Sequence, residues 1–287
     1  MNYFAFSALV NGLTSVLLGI YVLKRGFKSP LNKSYSFFAF SVFFWSLGYF
    51  FWQLSSTAAN ALFWSRVLMA GAILTPVAYF NFSLWLTNKY NDKKWESNIS
   101  FLVCAIFLGL SFTPMIVKEV SKKLFFTFWP NPGLMYLPFL LMFFFYAIYS
   151  LYIMYTVYRR ASGHLKAQIM YVFIGTAIGF AGGSTNYFLW YDVPIPPFAN
   201  ILVLAYPILL AYAITKHRLM DISVVISRLV AEIISILFLG TIYLGMVWAY
   251  QAYVSPSIGL GFVAMTILYG IFVGQVHQRI RLFIQTT

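Results

Sequence analysis

Long apolar runs follow one another along the chain, and they constrain its fold more than any other feature. Each run is about twenty residues long, the length that an α-helix needs to cross the hydrocarbon core of a bilayer. Nine runs are present, at residues 4–23, 35–54, 61–86, 99–117, 134–158, 169–190, 198–214, 229–250 and 257–276. The sequence therefore predicts an all-α polytopic membrane protein with about nine transmembrane helices.

Composition excludes a water-soluble alternative. The chain is 61% hydrophobic and only 9% charged, whereas a soluble domain has about 25% charged residues to cover its surface. A single cysteine and three scattered histidines predict neither a disulfide framework nor a metal site. The sequence also contains no catalytic motif, so we expect this chain not to be an enzyme.

Basic residues collect on alternate connectors between the runs. The first, third, fifth and seventh connectors and the C-terminal tail hold Lys24, Arg25, Lys28, Lys33, Lys89, Lys93, Lys94, Arg159, Arg160, Lys166, Lys216, Arg218, Arg228, Arg279 and Arg281. The positive-inside rule then predicts an outer N-terminus and a cytoplasmic C-terminus. Because the net charge of +13 is spread over short connectors, it forms no basic face for nucleic acid, and the bilayer is the expected partner.

Polar and aromatic side chains gather where several predicted helices reach the outer side. They are Trp52, Gln53, Arg66, Asn186, Asp192 and Asn200. Such groups are costly in lipid, so they are expected to face the bundle interior or a water-filled cavity. One interpretation is hydrogen bonding between helices, with Arg66 reaching the headgroups. The other is an outward-open pocket for a small amphipathic ligand, in which these residues bind the ligand.

The segment between the fourth and fifth runs adds to the second interpretation. It reads "KEVSKKLFFTFWPNPG" and sets aromatic side chains beside three lysines. This composition is typical of a segment at the membrane interface. The same segment is also a candidate lid over the pocket.

Residues 164–228 resemble the N-terminal seven-helix membrane region of bacterial sensor histidine kinases. The resemblance rests on "LKAQIMYVFIGTAIGFAGGSTN" and "VPIPPFANILVLAYPILLAYAITKHRLMDI". The matching residues are Lys166, Gln168, Gly175, Gly179, Gly182, Gly183, the prolines from Pro194 to Pro197, Tyr212-Ala213-Ile214, Arg218, Leu219 and Asp221.

The resemblance implies how the chain is organised. Residues 1–220 are expected to form the seven-helix sensor domain, and residues 221–287 a two-helix extension leading into a cytoplasmic kinase domain that this chain does not contain. ATP and Mg would be cofactors of that kinase domain only. A homodimer, a response regulator as partner and a location in the bacterial inner membrane are implied in the same way.

Four charged residues lie where the predicted sensor domain meets the extension. Arg228 and Glu232 are four residues apart, within reach of each other on a helix, and Arg218 and Asp221 precede them. We expect this cluster to couple the sensor helices to the last two helices.

The sequence therefore predicts the sensor or receptor domain of a two-component histidine kinase. Two alternatives stay open: a small-solute transporter or channel, and the same membrane module in front of a diguanylate cyclase. Transporters often show inverted repeats and polar groups near the midplane, and nine runs do not divide into two equal halves. A retinal photoreceptor needs a lysine in mid-helix, and every lysine here lies in a connector.

Overall fold

The computed structural model of the chain describes residues 2–217, 239, 242–243, 245–247, 250–251 and 259–285. The helices are α1 (Tyr3–Arg25), α2 (Pro30–Gln53), α3 (Ala58–Leu86), α4 (Lys94–Ser111), α5 (Tyr136–Tyr158), α6 (Gly163–Ser184), α7 (Asn186–Trp190), α8 (Ala205–His217) and α9 (Leu260–Gln285). A 3₁₀ helix, Phe198–Leu204, runs directly into α8. Strands β1 (Val117–Lys123) and β2 (Phe126–Pro132) separate α4 from α5.

The structure confirms the predicted class of the protein, which is an α-helical membrane protein. Five helical segments among the described residues are long and apolar enough to span a membrane: α1, α2, α3, α5 and the combined α6–α7 segment Gly163–Trp190. Helix α4 occupies part of the predicted fourth run, and the 3₁₀ helix with α8 occupies the seventh. The eighth run falls mostly outside the described residues, so the count of nine stays a prediction.

Helices α1 to α6 alternate in direction, which gives the bundle two distinct ends. The end where α1 begins and α2 terminates also carries the two strands, and we call it the hairpin end. At the opposite end, called the basic end, α1 terminates at Arg25 and α5 is followed by Arg159 and Arg160.

Helices α2 and α3 approach until their backbones touch. A Cβ atom added at Gly48 would overlap the backbone of Leu68, and one added at Gly71 would overlap the backbone of Trp45. Only residues without a side chain permit this distance. Helices α2 and α3 are therefore packed backbone against backbone at these two positions.

Replacing Gly71 should destabilise the fold through this contact. We expect Gly71→Ala to lower the free energy of unfolding by about 1–3 kcal/mol, the usual cost of overpacking. The measurement is unfolding of the purified protein in detergent. Gly109→Ala on α4 is the matched control, because no atom lies within 4 Å of its added Cβ. Equal losses in both variants would contradict the close contact.

A β-hairpin stands where the sequence predicted the end of a helix. The predicted fourth span reached residue 117, but α4 ends at Ser111 and Val117 begins β1. That boundary was wrong, because Pro114 disfavours helical geometry in the residue before it. The strands are antiparallel, with Ser121 opposite Trp129, so the segment predicted as an outer connector is an ordered element.

At the basic end, a Lys–Glu–Tyr cluster ties the start of α4 to α5. The amine of Lys93 lies 2.8 Å from a carboxylate oxygen of Glu96 and donates to the Tyr149 hydroxyl at 2.6 Å. The hydrogen bond to Glu96 raises the pKa of Lys93. Partial burial raises the pKa of Glu96, but the hydrogen bonds from Lys93 and Tyr149 outweigh it and leave that pKa below its ordinary value. Both groups therefore keep their charges around neutral pH.

Candidate ligand-binding site

The hairpin is fastened to α2 and α3 by two side-chain hydrogen bonds. Trp52, in the last turn of α2, donates its indole N–H to the carbonyl of Phe128 over 2.7 Å. Arg66 on α3 donates through Nη2 to the carbonyl of Val117 over 3.3 Å. Because each bond ends on a strand carbonyl, these two attachments do not depend on the side chains of the hairpin.

Lys123, the last residue of β1, forms the third attachment. Its amine donates to the carbonyls of Leu189 and Trp190 at 3.1 and 3.0 Å and lies 3.0 Å from a carboxylate oxygen of Asp192. The lysine side chain is only 7% exposed, whereas that of Asp192 is 80% exposed. A buried ammonium needs such partners, so Lys123 closes the hairpin onto the end of α7.

Beneath the hairpin, the side-chain amide of Asn186 joins three elements. Its Oδ1 accepts from the Tyr49 hydroxyl on α2 at 3.0 Å. Its Nδ2 donates to the Gly183 carbonyl on α6 at 2.9 Å and to Oδ1 of Asn200 in the 3₁₀ helix at 2.8 Å. Both amide hydrogens are therefore used within the protein, and Asn186 is buried.

Loss of this amide should destabilise the hairpin end. We expect Asn186→Leu to lower the free energy of unfolding by roughly 1–3 kcal/mol, because it leaves buried partners without a hydrogen bond. Tyr49→Phe removes one bond of the set and should cost less. Thermal unfolding in detergent micelles measures both. A Tyr49→Phe variant that loses more stability than Asn186→Leu would contradict the central role of the amide.

Three cavities follow one another from the hairpin end into the bundle. The vestibule lies between the start of α1, the end of α2 and the hairpin, and Asn2, Gln53 and Thr127 contribute to its wall. The upper cavity is lined by aromatic residues that include Trp52 and Trp129, together with Asn186. The inner cavity lies deeper, among α2, α3, α5, α6 and α8.

The cavities share wall residues, so they lie next to one another, and we call the three together the column. Trp52 lines both the vestibule and the upper cavity. Trp45, Ala72, Gly183 and Tyr187 line both the upper and the inner cavity. Trp52 therefore separates the vestibule from the interior, and it is held there by its bond to Phe128 and by edge contact with Trp129, 4.8 Å between ring centroids.

The residues predicted for ligand binding divide into two groups. Trp52, Gln53 and Asn186 line the vestibule or the upper cavity, and Asn200 is bonded to Asn186. The other two lie apart, since Arg66 contacts the first residue of β1 and Asp192 contacts the last. A seven-residue strand spans roughly 20 Å, so these two charges do not share one rim.

Two residues of this site were not predicted from the sequence. Lys123 and Trp129 are both buried, although the sequence placed them in an interfacial connector. The signal for Trp129 is the pattern "FTFW" (residues 126–129), in which Thr127 lies between aromatic residues as in a strand with one covered face; no such pattern marks Lys123. The composition of the segment, by contrast, predicts an interfacial connector or a lid over the pocket and not a strand.

Two further predictions concern the coupling residues and metal binding. The proposed coupling residues Arg218, Asp221, Arg228 and Glu232 lie outside the part of the chain that the structure describes. Within the described part, no group of three or more His, Cys, Asp or Glu side chains could hold a metal ion.

The family of the chain follows from a match to a sequence-family model. The model described as the N-terminal 7TM region of histidine kinase matches residues 7–223. The match covers most of the chain, so this protein belongs to that family of membrane sensor regions, and the resemblance of residues 164–228 is confirmed. No curated protein and no solved structure gave a significant match.

Proposed function

We propose that this chain binds a small ligand at its hairpin end and transmits a helix rearrangement to a cytoplasmic histidine kinase domain. The observation that carries the proposal is the column of cavities beneath the hairpin in a member of a kinase sensor family. The vestibule presents polar groups such as Asn2 and Gln53 to a ligand, and the inner cavity beyond it has a mostly apolar wall.

The proposal places the hairpin end on the outer side of the inner membrane. Its support is the distribution of basic residues, which are concentrated at the opposite end, as the positive-inside rule requires of a cytoplasmic face. Ligand would then enter from outside, and the C-terminus would reach the compartment that holds ATP.

Labelling of single cysteines tests this orientation. In a Cys104→Ala background, we expect Asp192→Cys to react with a membrane-impermeant maleimide on intact cells, because its side chain is 80% exposed at the hairpin end. Asp92→Cys is the matched control at the basic end, with 61% exposure, and should react only after permeabilisation. The reverse pattern would overturn the orientation.

Signal transmission requires two arrangements of the bundle that the ligand binds with different affinity. The contacts of Asn186 connect α2 with α6 and the 3₁₀ helix, so a change at the upper cavity reaches the helices that precede the C-terminal part of the chain. We place Arg218, Asp221, Arg228 and Glu232 on that route. ATP, Mg, a response regulator and a second copy of the protein would act through the kinase domain.

A fusion of residues 1–287 to a histidine kinase catalytic region tests the coupling. We expect Trp52→Ala to change autophosphorylation about threefold or more in reconstituted vesicles, because less than 1 kcal/mol of bias between two states gives such a shift. Leu102→Ala, on the exposed side of α4 (64% exposed), should leave autophosphorylation unchanged.

The same vesicles distinguish the transporter alternative. Identical autophosphorylation by the wild-type and Trp52→Ala fusions, both folded, would contradict the sensor role. Solute uptake into liposomes by the 287-residue chain, together with that result, would favour a transporter or channel.

A further inference from the structure

We propose that the exposed faces of α1 and α5 bind anionic phospholipids, whose phosphates are held at the basic end by Lys24 with Arg25 and by Arg159 with Arg160. We call these two sets of neighbouring cations the basic pairs. They lie at the opposite end from the hairpin, and their lipid binding is independent of the proposed sensing function. The positive-inside rule concerns the direction in which helices insert, whereas this surface selects a lipid headgroup.

An apolar stripe on α1 leads directly to the first basic pair. Leu13, Leu17 and Ile20 recur at spacings of four and three residues, so they lie on one face of the helix. All three are exposed on a helix that is long and apolar enough to span a membrane. Lys24 continues the same spacing and is exposed, as is Arg25. A lipid chain that lies on this stripe therefore has its headgroup beside the pair.

The same arrangement recurs on α5 over a longer distance. Five residues spaced by four or three positions are each at least 50% exposed: Leu141, Phe145, Ile148, Tyr152 and Tyr155. Arg159 is the next position of this series, Arg160 follows it, and both are exposed. Helical residues 141 to 155 span roughly 21 Å, more than one leaflet's share of about 15 Å of the hydrocarbon core. The acyl chain of a lipid in one leaflet can therefore lie along the stripe.

The basic pairs have no acidic partner in the described part of the chain. The ion pairs found there join Lys89 to Asp92, Lys93 to Glu96 and Lys123 to Asp192. Arg25 instead lies over the ring of Tyr21, with 5.8 Å from its guanidinium carbon to the ring centroid. A ring leaves the charge of the guanidinium uncompensated, so a phosphate can supply the counter-charge.

Helix α4 supplies a contrasting case. Its exposed apolar residues have the same spacing: Trp95, Ile99, Leu102 and Ile106. The position that continues this series toward the basic end, in the turn before α4, is Asp92. Its carboxylate lies 2.9 Å from the amine of Lys89, so the two charges cancel. We therefore expect the α4 face to accept anionic and zwitterionic lipids equally.

A phospholipid matches these surfaces better than an acidic protein does. Each basic pair ends a face that is apolar over several turns, and a phospholipid carries both a phosphate and an apolar chain. The α1–α2 connector adds Phe27, which is 67% exposed and lies beside Lys33, with 5.2 Å from the amine to the ring centroid. An exposed aromatic ring beside cations is typical of the membrane interface.

Spin-labelled lipids test the preference. The 287-residue chain is reconstituted in phosphatidylcholine vesicles, and electron paramagnetic resonance measures the labelled lipid that the protein immobilises. We expect phosphatidylglycerol to associate about twofold more strongly than phosphatidylcholine at low salt. Each basic residue gives roughly a fivefold gain at its own site, averaged here over all lipids around the protein. In about 1 M NaCl, which screens charges beyond roughly 3 Å, the preference should disappear.

Two double variants locate the sites. Lys24→Gln with Arg25→Gln, and Arg159→Gln with Arg160→Gln, should each remove part of the preference for phosphatidylglycerol. The quadruple variant should remove most of it, because no basic pair is then left to hold a phosphate. Lys24→Arg with Arg25→Lys keeps both charges and should keep the preference. Circular dichroism confirms that each variant is folded.

A charge-neutral change at the same end is the matched control. Lys89→Gln with Asp92→Asn removes a basic residue together with its acidic partner, so it should leave the preference unchanged. Glycerol 3-phosphate, compared with NaCl of equal ionic strength, should not release the labelled lipid, because it has no acyl chain.

Four results would overturn the inference. They are equal association of the two lipids with the wild-type chain, an unchanged preference in the folded quadruple variant, an equal loss of preference in the control, and release of the lipid by glycerol 3-phosphate. The last would indicate a site for free phosphate. Because the experiment uses neither a kinase domain nor a sensed ligand, its failure leaves the proposed function to the fusion experiment, and the converse also holds.

Discussion

One buried amide, that of Asn186, organises the hairpin end of this protein. In a low-dielectric interior a hydrogen bond is stronger and an unpaired polar group is costlier than in water. Asn186 bonds to α2 through Tyr49, to α6 through Gly183 and to the 3₁₀ helix through Asn200. Tyr49, Gly183 and Asn186 itself also line the upper cavity, and the hairpin is attached to α2 through Trp52 and to the end of α7 through Lys123.

The sequence located helices well where an apolar run had no competing structure. The runs at residues 4–23 and 134–158 lie within one to two residues of α1 and α5, because length and hydrophobicity alone define a span. The fourth run failed at its end, since a short apolar stretch such as residues 115–117 suits a strand as well as a helix. The length and hydrophobicity of a run therefore do not distinguish the last turn of a helix from the first residues of a strand.

The position of each polar residue along its helix could be predicted from the sequence, but the hydrogen-bond partners of its side chain could not. Gln53, Arg66, Asn186 and Asn200 do lie at one end of the bundle, as the spacing from helix ends indicated. Their partners depend on how each helix is rotated and on the hairpin, and neither is visible in an apolar pattern. Arg66 therefore bonds a strand carbonyl, and Lys123, predicted at the interface, is buried against the end of α7.

The backbone contact of α2 with α3 has a mechanical consequence. With no free volume at Gly48 and Gly71, these two helices cannot slide closer, so we expect them to move as one rigid body. The empty space of the inner cavity lies between this body and the α6–α8 side. We therefore expect a rearrangement of the bundle to move α6 and α8 relative to α2 and α3, while α2 and α3 keep their positions relative to each other.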